Sequence, residues 1–453
     1  MIFAPSAASA IHSAPRPAPT SDTGHLLRGR NAAKAAWLAA CSTAGMRHRL
    51  AVLVALPLST LAACVGPAPE TAPSQTAPVE SGKAKAPRTP HPAAGETPLS
   101  ETAELDATMA EVLAKTPAVP GASVAIVRDG AVVLAKGYGK ARVSPEAPMT
   151  RDSILNVASI SKAITAVVAL KAVEGGKLSL DGDIGTALGF SLRNPKFPDV
   201  PLTLRMLLMH TTSIDSRTEA LSAPLESGWV EDADSSLSLK ELVEETFTPG
   251  RKWYDASLYS AKKPGTAYDY CNICPAITAY AIERVTGEAF DAYSKEVLFD
   301  PAQMTSTTWR LADTDRARLV QAYTLARNEL SPAAPQGAPY YPADSLRTTP
   351  ADLGKLIVEL TRTHAVLSAD LAEQMFTVHD DTVAKGQALA LSANEPGVFG
   401  HSGSDLGVVS DMLFDTSTNT GIVVVLNGDG GERGDVPIPE IEAALWKAAK
   451  GQR

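Results

Sequence analysis

The chain is 453 residues long, 45% hydrophobic and 20% charged, with a formal charge of −9, which is enough apolar material for one sizeable buried core. Mild acidity, with no basic run and no patch of interleaved aromatics, argues against nucleic acid as a partner. There is no phosphate loop, no His-Glu-x-x-His and no ligand spacing among the eight histidines, so neither a cofactor nor a metal is expected.

The first elements in chain order concern localisation. Met46-Arg47-His48-Arg49, followed by Leu50 through Ala63, has a basic start, a short apolar run and small residues before Cys64. That is a secretory signal pattern, too short for a spanning helix. Its end, Leu61-Ala62-Ala63-Cys64, resembles the bacterial lipoprotein processing box, which implies cleavage before Cys64 and a lipid anchor on it. Residues 1–45, rich in Ala, Ser and Arg, read as a non-native extension, with Met46 as the expected start. Residues 65–100 carry eight prolines and no aromatic residue, the composition of a disordered tether that continues from Cys64. A single sizeable domain, residues 101–453, is expected to follow.

That domain opens with a helical pattern from Glu101 to Lys115 and then a hairpin. Its strands are Ala122–Val127 and Ala131–Leu134, joined by an Asp129-Gly130 turn. Ser159 and Lys162 come next, at the head of the apolar run Ala163-Ile164-Thr165-Ala166-Val167-Val168-Ala169-Leu170. On a helix, positions i and i+3 share a face, so the amine lies beside the hydroxyl. A desolvated amine is one of the bases that can activate a serine nucleophile. The same spacing at Ser260 and Lys263 lies in a polar stretch that leads into no apolar helix.

Tyr270-Cys271-Asn272 stands just before Pro275, where apolar positions recur at helical spacing until Gly287. Cys271 and Cys274 are expected to be two free, packed thiols, since a helical turn often leaves such pairs reduced. His401-Ser402-Gly403-Ser404 leads into Val408-Val409. After the polar turn from Asp415 to Asn419 comes Ile422 to Leu426, which reads as a hairpin whose first strand carries the histidine.

The order Ser-x-x-Lys, Tyr-x-Asn, His-x-Gly resembles the serine β-lactamase and penicillin-binding-protein superfamily, in its class C β-lactamase-like branch. The likeness covers roughly residues 101–450. It takes in Leu180-Asp181-Gly182-Asp183-Ile184, Leu204 through Thr212, Pro264-Gly265 and Leu346 through Leu353. The resemblance implies an α/β fold of the α+β type. An antiparallel sheet from N- and C-terminal strands is flanked by helices, a helical subdomain at roughly residues 155–345 is inserted, and the active site lies at the seam.

The residues then have expected roles. Ser159 attacks an acyl carbon, and Lys162 takes its proton or shares that work with Tyr270, whose phenol could return a proton to the leaving group. Asn272 would bond Lys162 and a substrate oxygen. By resemblance, the backbone N–H groups of Ser159 and Ser404, beside Gly403, form the oxyanion hole. Two departures matter. The third element normally has lysine and here has His401, a residue type whose unperturbed pKa is about 6.5. Arg347 follows Asp344-Ser345, where the branch often has glycines, which suggests a reshaped cleft rim.

The reading is a lipid-anchored, periplasm-facing serine hydrolase acting through an acyl-enzyme on small-molecule or peptide esters and amides, with weak or no β-lactamase activity. The alternatives are a true β-lactamase or D,D-carboxypeptidase, and, from another class, a silent envelope protein that binds muropeptides in the same cleft. Expressed from Met46 in a bacterial host, the wild type should take up labelled fatty acid and partition with membranes. Cys64→Ser should abolish both, and an unlabelled wild type would refute the anchor.

Overall fold

Asp129 and Gly130 both take positive φ, 51° and 69°, as a two-residue primed turn requires to match the twist of its strands. In a computed structural model, which describes residues 102–326, 329–430 and 436–450, this turn joins β1 (Gly121–Arg128) to β2 (Ala131–Arg142). The extension at 1–45, the signal pattern at 46–63, Cys64 and the tether lie outside the described residues. Before β1 runs α1 (Ala103–Lys115), with Glu104 and Asp106 in its first turn and Lys115 in its last, which suits the helix dipole.

The C-terminal strands complete the sheet. β3 is Ala147–Pro148, β4 Ser392–Glu395, β5 Val398–Asp405, β6 Val408–Asp415 and β7 Thr420–Leu426. Their order across the antiparallel sheet is β4-β5-β6-β7-β1-β2-β3. The two ends of the domain meet where β1 pairs with β7, from Ala122 opposite Leu426 to Val127 opposite Gly421. The expected C-terminal hairpin is therefore a three-stranded meander. Positive φ at Gly407 (70°) inserts a tight turn between the histidine strand and β6.

Both central strands are buried along their whole length except for Arg128 at the end of β1, because the two faces of the sheet are covered by different helices. Ala122, Val124, Ile126, Ile422, Val424 and Leu426 pack under α1 and the C-terminal α5 (Ile438–Lys450), against Leu105, Met109, Ile441 and Leu445. The alternate residues Ala125, Val127, Val423 and Val425 join the main core with Leu353, Leu356 and Ile357 of α4 (Pro350–Val358). This is the period-two alternation of a sheet buried on both sides.

The inserted region is built on α2 (Ser161–Glu174), which has no polar stripe. From Ser161 to Leu170 every residue is buried, so the helix is the centre of the region and not its surface. It packs against α3 (Cys274–Thr286), which has Pro275 in its first turn and stops at Gly287 in the left-handed conformation. The insertion is not purely helical, since strands Ala322–Ala326 and Glu329–Ala333 form a local hairpin within it. Among the described residues no helix is long and apolar enough to cross a membrane.

One acidic pair lies under the sheet on the α5 side. Asp411 on β6 is buried and is hydrogen-bonded to Glu442 of α5, with Ser402 of β5 opposite it in the ladder. Burial raises both carboxyls, Asp411 to about 6 and Glu442, also facing the Asp411 charge, to about 8. The folded protein thus keeps a proton that the unfolded chain would release above the ordinary glutamate value of 4.5. The resulting stabilisation is full below that pH and is lost as pH rises towards 8. Glu442→Gln should match wild type near pH 4.5 and exceed it by on the order of 2 kcal/mol near pH 8. Urea midpoints across that range test this; a difference independent of pH would refute it.

Candidate active site

The nucleophile segment is held before the helix begins. Ala158 takes φ 47°, a left-handed conformation uncommon for alanine, and its N–H donates to Asn156 Oδ1 at 2.6 Å. Ser159 lies in the 3₁₀ turn Ala158–Ile160 that feeds α2. Lys162, one turn on, is 2% exposed, and its Nζ is 2.9 Å from Ser159 Oγ and 2.9 Å from Ala343 O. The carbonyl comes from a segment anchored to the same helix, where Thr165 Oγ1 donates to Pro342 O and Leu346 N–H donates to Ser161 Oγ. One amine therefore reaches the nucleophile and a fixed acceptor together, with almost no water around it.

Strand β5 closes the other side. A Cβ on Gly403 would come within 2.4 Å of Ser410 Oγ, 2.5 Å of Val157 O and 3.0 Å of Ser159 N. Only glycine lets this strand lie against the nucleophile turn. Ser410 Oγ then donates to Val157 O, tying β6 to the same turn. By alternation His401 and Gly403 share the site face, while Ser402 and Ser404 take the other, so Ser404 can offer the cleft its backbone only. His401 Nδ1 is 2.6 Å from Ser402 O, and its ring centroid is 6.4 Å from that of Tyr270.

Tyr270 completes the group, with its ring centroid 5.1 Å from Lys162 Nζ. Asn272 follows on the turn into α3, its N–H donating to Ser216 Oγ at 2.8 Å. The structure thus brings Ser159, Lys162, Tyr270, His401 and Gly403 together from three separated stretches of chain, with Asn272 two residues beyond Tyr270. The second Ser-x-x-Lys match lies on a surface turn with Lys262 and Lys263 exposed.

Two sequence expectations are corrected. Cys271 and Cys274 form a disulfide and are not free thiols. The helical-turn argument fails because Cys271 precedes the helix: Asn272 and Ile273 make a bend, and only Cys274 is helical. This leaves the Cα atoms 5.4 Å apart, within bridging range. Arg347 does not shape the cleft rim. It is 1% exposed, donates to the carbonyls of Trp309, Ser345 and Gln336, and has its pKa pushed down to about 10 by burial. Its backbone pairs with Asn156, so it braces the approach to the nucleophile from behind.

Several contributors were not singled out in the sequence. The carbonyl of Ala343 and the hydroxyl of Ser216 carry no sequence signal at all. His210 had a weak one, its place at the end of the Leu204–Thr212 stretch; it is buried at the base of the cleft with its ring 4.5 Å from Tyr270.

Comparison with known proteins agrees with this architecture. A family model described as Beta-lactamase matches residues 105–445. "Protein flp" of Staphylococcus aureus (strain MRSA252) is 24% identical over 317 residues, 68% of this chain and 60% of the relative. The chain thus spans about three fifths of that relative's length. The octameric penicillin-binding protein homologue from Pyrococcus abyssi superposes with a TM-score of 0.62 at 26% identity, covering 76% of this chain and 77% of that one. EstCE1, described as a hydrolase with promiscuous acyltransferase activity, gives a TM-score of 0.60 at 19% identity, covering 76% and 98%. The chain belongs to the β-lactamase family, whose members are serine hydrolases.

The disulfide yields a direct test. The unreduced, alkylated peptide containing Cys271 and Cys274 should run two hydrogens lighter than its reduced form and carry no alkyl group. Two alkylated cysteines from native protein would overturn the bridge.

Proposed function

We propose that this member of the β-lactamase family is an envelope-anchored serine hydrolase that turns over esters, amides or peptides through an acyl-enzyme on Ser159. The observation that carries the reading is the buried Lys162 amine, 2.9 Å from Ser159 Oγ and 2.9 Å from Ala343 O. An amine in that position can accept the hydroxyl proton through its lone pair while an N–H stays on the carbonyl, so it keeps its orientation as it works.

Ser159 Oγ attacks the acyl carbon and its proton passes to Lys162, directly or with the help of Tyr270. The tetrahedral oxyanion would lie against the backbone N–H groups of Ser159 and Ser404, where Gly403 allows close approach; such donors contribute about 3 kcal/mol to transition-state stabilisation. Tyr270 is placed to return the proton to the leaving group. Water then cleaves the acyl-enzyme by the reverse route. Asn272 would orient the substrate carbonyl or amide.

Substrate choice turns on His401. A lysine there would present a lasting positive charge to a carboxylate beside the scissile bond, a contact worth roughly 1.5–3 kcal/mol. An imidazole offers no permanent charge for such a contact, which favours neutral esters and amides over penicillins and cephalosporins. The acyl-transfer reading is in keeping with the promiscuous acyltransferase activity described for EstCE1. Anchoring through Cys64 would place the reaction at the periplasmic face of a membrane, with the tether as spacer.

A fluorophosphonate probe should label wild type on Ser159, and Ser159→Ala should remove the label. Lys162→Ala should slow turnover of short p-nitrophenyl esters by at least ~100-fold. Wild type should hydrolyse those esters well and nitrocefin slowly, and His401→Lys should raise acylation by anionic β-lactams relative to esters. Labelling that survives Ser159→Ala refutes the nucleophile. Fast nitrocefin hydrolysis with untouched esters refutes the substrate reading.

A further inference from the structure

His210 grips the peptide on both sides of Tyr270. Its own carbonyl accepts from Asp269 N–H at 2.8 Å, and its imidazole Nδ1 accepts from Cys271 N–H at 3.1 Å. The residue between these two anchors is Tyr270, whose ring lies at 4.5 Å and 43° to the imidazole, while Tyr268 stands at right angles to the same imidazole at 5.9 Å. Both anchors come from one residue because His210 takes φ 58°, the left-handed conformation, at the end of the short helix Leu204–Leu208. That conformation is uncommon outside glycine and is enriched in asparagine, aspartate and histidine.

The chemical state of the ring follows from the bond it makes. Nδ1 can accept from Cys271 only if it carries no proton, so the imidazole is neutral with its hydrogen on Nε2. Nε2 is buried and has no partner among the described residues. Burial, with Lys162 and His401 close by, opposes protonation. A cation here would turn an N–H against the Cys271 N–H and release one of the two anchors. Neutrality is therefore part of the grip.

We infer that His210 is the positioning residue for Tyr270, fixing its phenol opposite Lys162 by holding Asp269 and Cys271 and flooring the tyrosine ring. The inference rests on the acyl-enzyme reading for its kinetic consequence and on geometry alone for the position of the ring. The disulfide to Cys274 and the Asn272–Ser216 bond restrain the segment downstream of Tyr270, and His210 restrains it at the tyrosine itself.

His210→Asn is the informative variant. Asparagine tolerates the left-handed backbone and keeps a side-chain oxygen near Cys271, yet removes the ring from beneath Tyr270. The full chain, labelled with 3-fluorotyrosine, should show one sharp ¹⁹F line for Tyr270, assigned among its ten tyrosines by Tyr270→Phe. In His210→Asn that line should shift and broaden while those distant from the site stay in place. An unmoved line overturns the inference whatever the activity. On p-nitrophenyl esters His210→Asn should lower kcat by at least ~tenfold with KM within about twofold. In a Tyr270→Phe background the same change should cost less than about twofold, because His210 acts through the tyrosine. Additive losses would show that it acts elsewhere and would overturn the inference. Failure of the acyl-enzyme reading would show separately, as absent fluorophosphonate labelling of Ser159, with the ¹⁹F result still deciding the placement of Tyr270.

Discussion

A lysine amine taken almost wholly out of water needs a complete set of partners, and much of the surrounding structure is arranged to supply them. Lys162 Nζ has Ser159 Oγ on one side and Ala343 O on the other. Lone buried polar groups are costly, and ionisable ones more so. Removing either partner would therefore disturb the helix as well as the chemistry. Helix α2 must be apolar all round to reach the centre of the domain, and the segment that carries Ala343 must be pinned to it. The Thr165–Pro342 and Ser161–Leu346 bonds do the pinning.

The second constraint is closeness of approach. Strand β5 passes so near the nucleophile turn that Gly403 has no room for a Cβ, and Val157 O serves as acceptor for Ser410 on the next strand. The sheet and the inserted region therefore meet at backbone distance. That is the kind of contact an oxyanion site needs, since backbone N–H groups are short and cannot reach across a gap. The left-handed Ala158 turns the chain sharply enough to present Ser159 there, and the Asn156 side chain steadies it.

Tyr270 lies on irregular chain and not on a helix or strand, so its placement depends on tethers. They include the imidazole and carbonyl of His210, the Ser216 hydroxyl on Asn272, and the Cys271–Cys274 bridge. A loop so tied can be as rigid as an element of regular structure, and irregular backbone leaves freedom to aim the phenol at the amine. Arg347 plays a comparable part behind the nucleophile, spending its guanidinium on three carbonyls and not on any ligand.

Much of this was legible in the sequence. The Ser159–Lys162 spacing at the head of an unbroken apolar run marked a buried helix with chemistry at its start, because helical geometry alone brings i and i+3 together. The Asp129-Gly130 turn and the all-apolar Ile422–Leu426 run marked strands, since only positive φ and two-sided burial account for them. The sequence order of the three elements also gave the family. What it left open were matters of contact between distant segments. Cys271 and Cys274 were misread because only the tertiary bend at Asn272 and Ile273 keeps Cys271 out of the helix. Arg347 was misread because a chain position next to a cleft does not say which way a side chain turns. The Ala343 carbonyl, Ser216 and the two-handed hold of His210 had no reliable local signature. Their roles arise from which atoms come within about 3 Å after folding, and no periodicity along the chain encodes that.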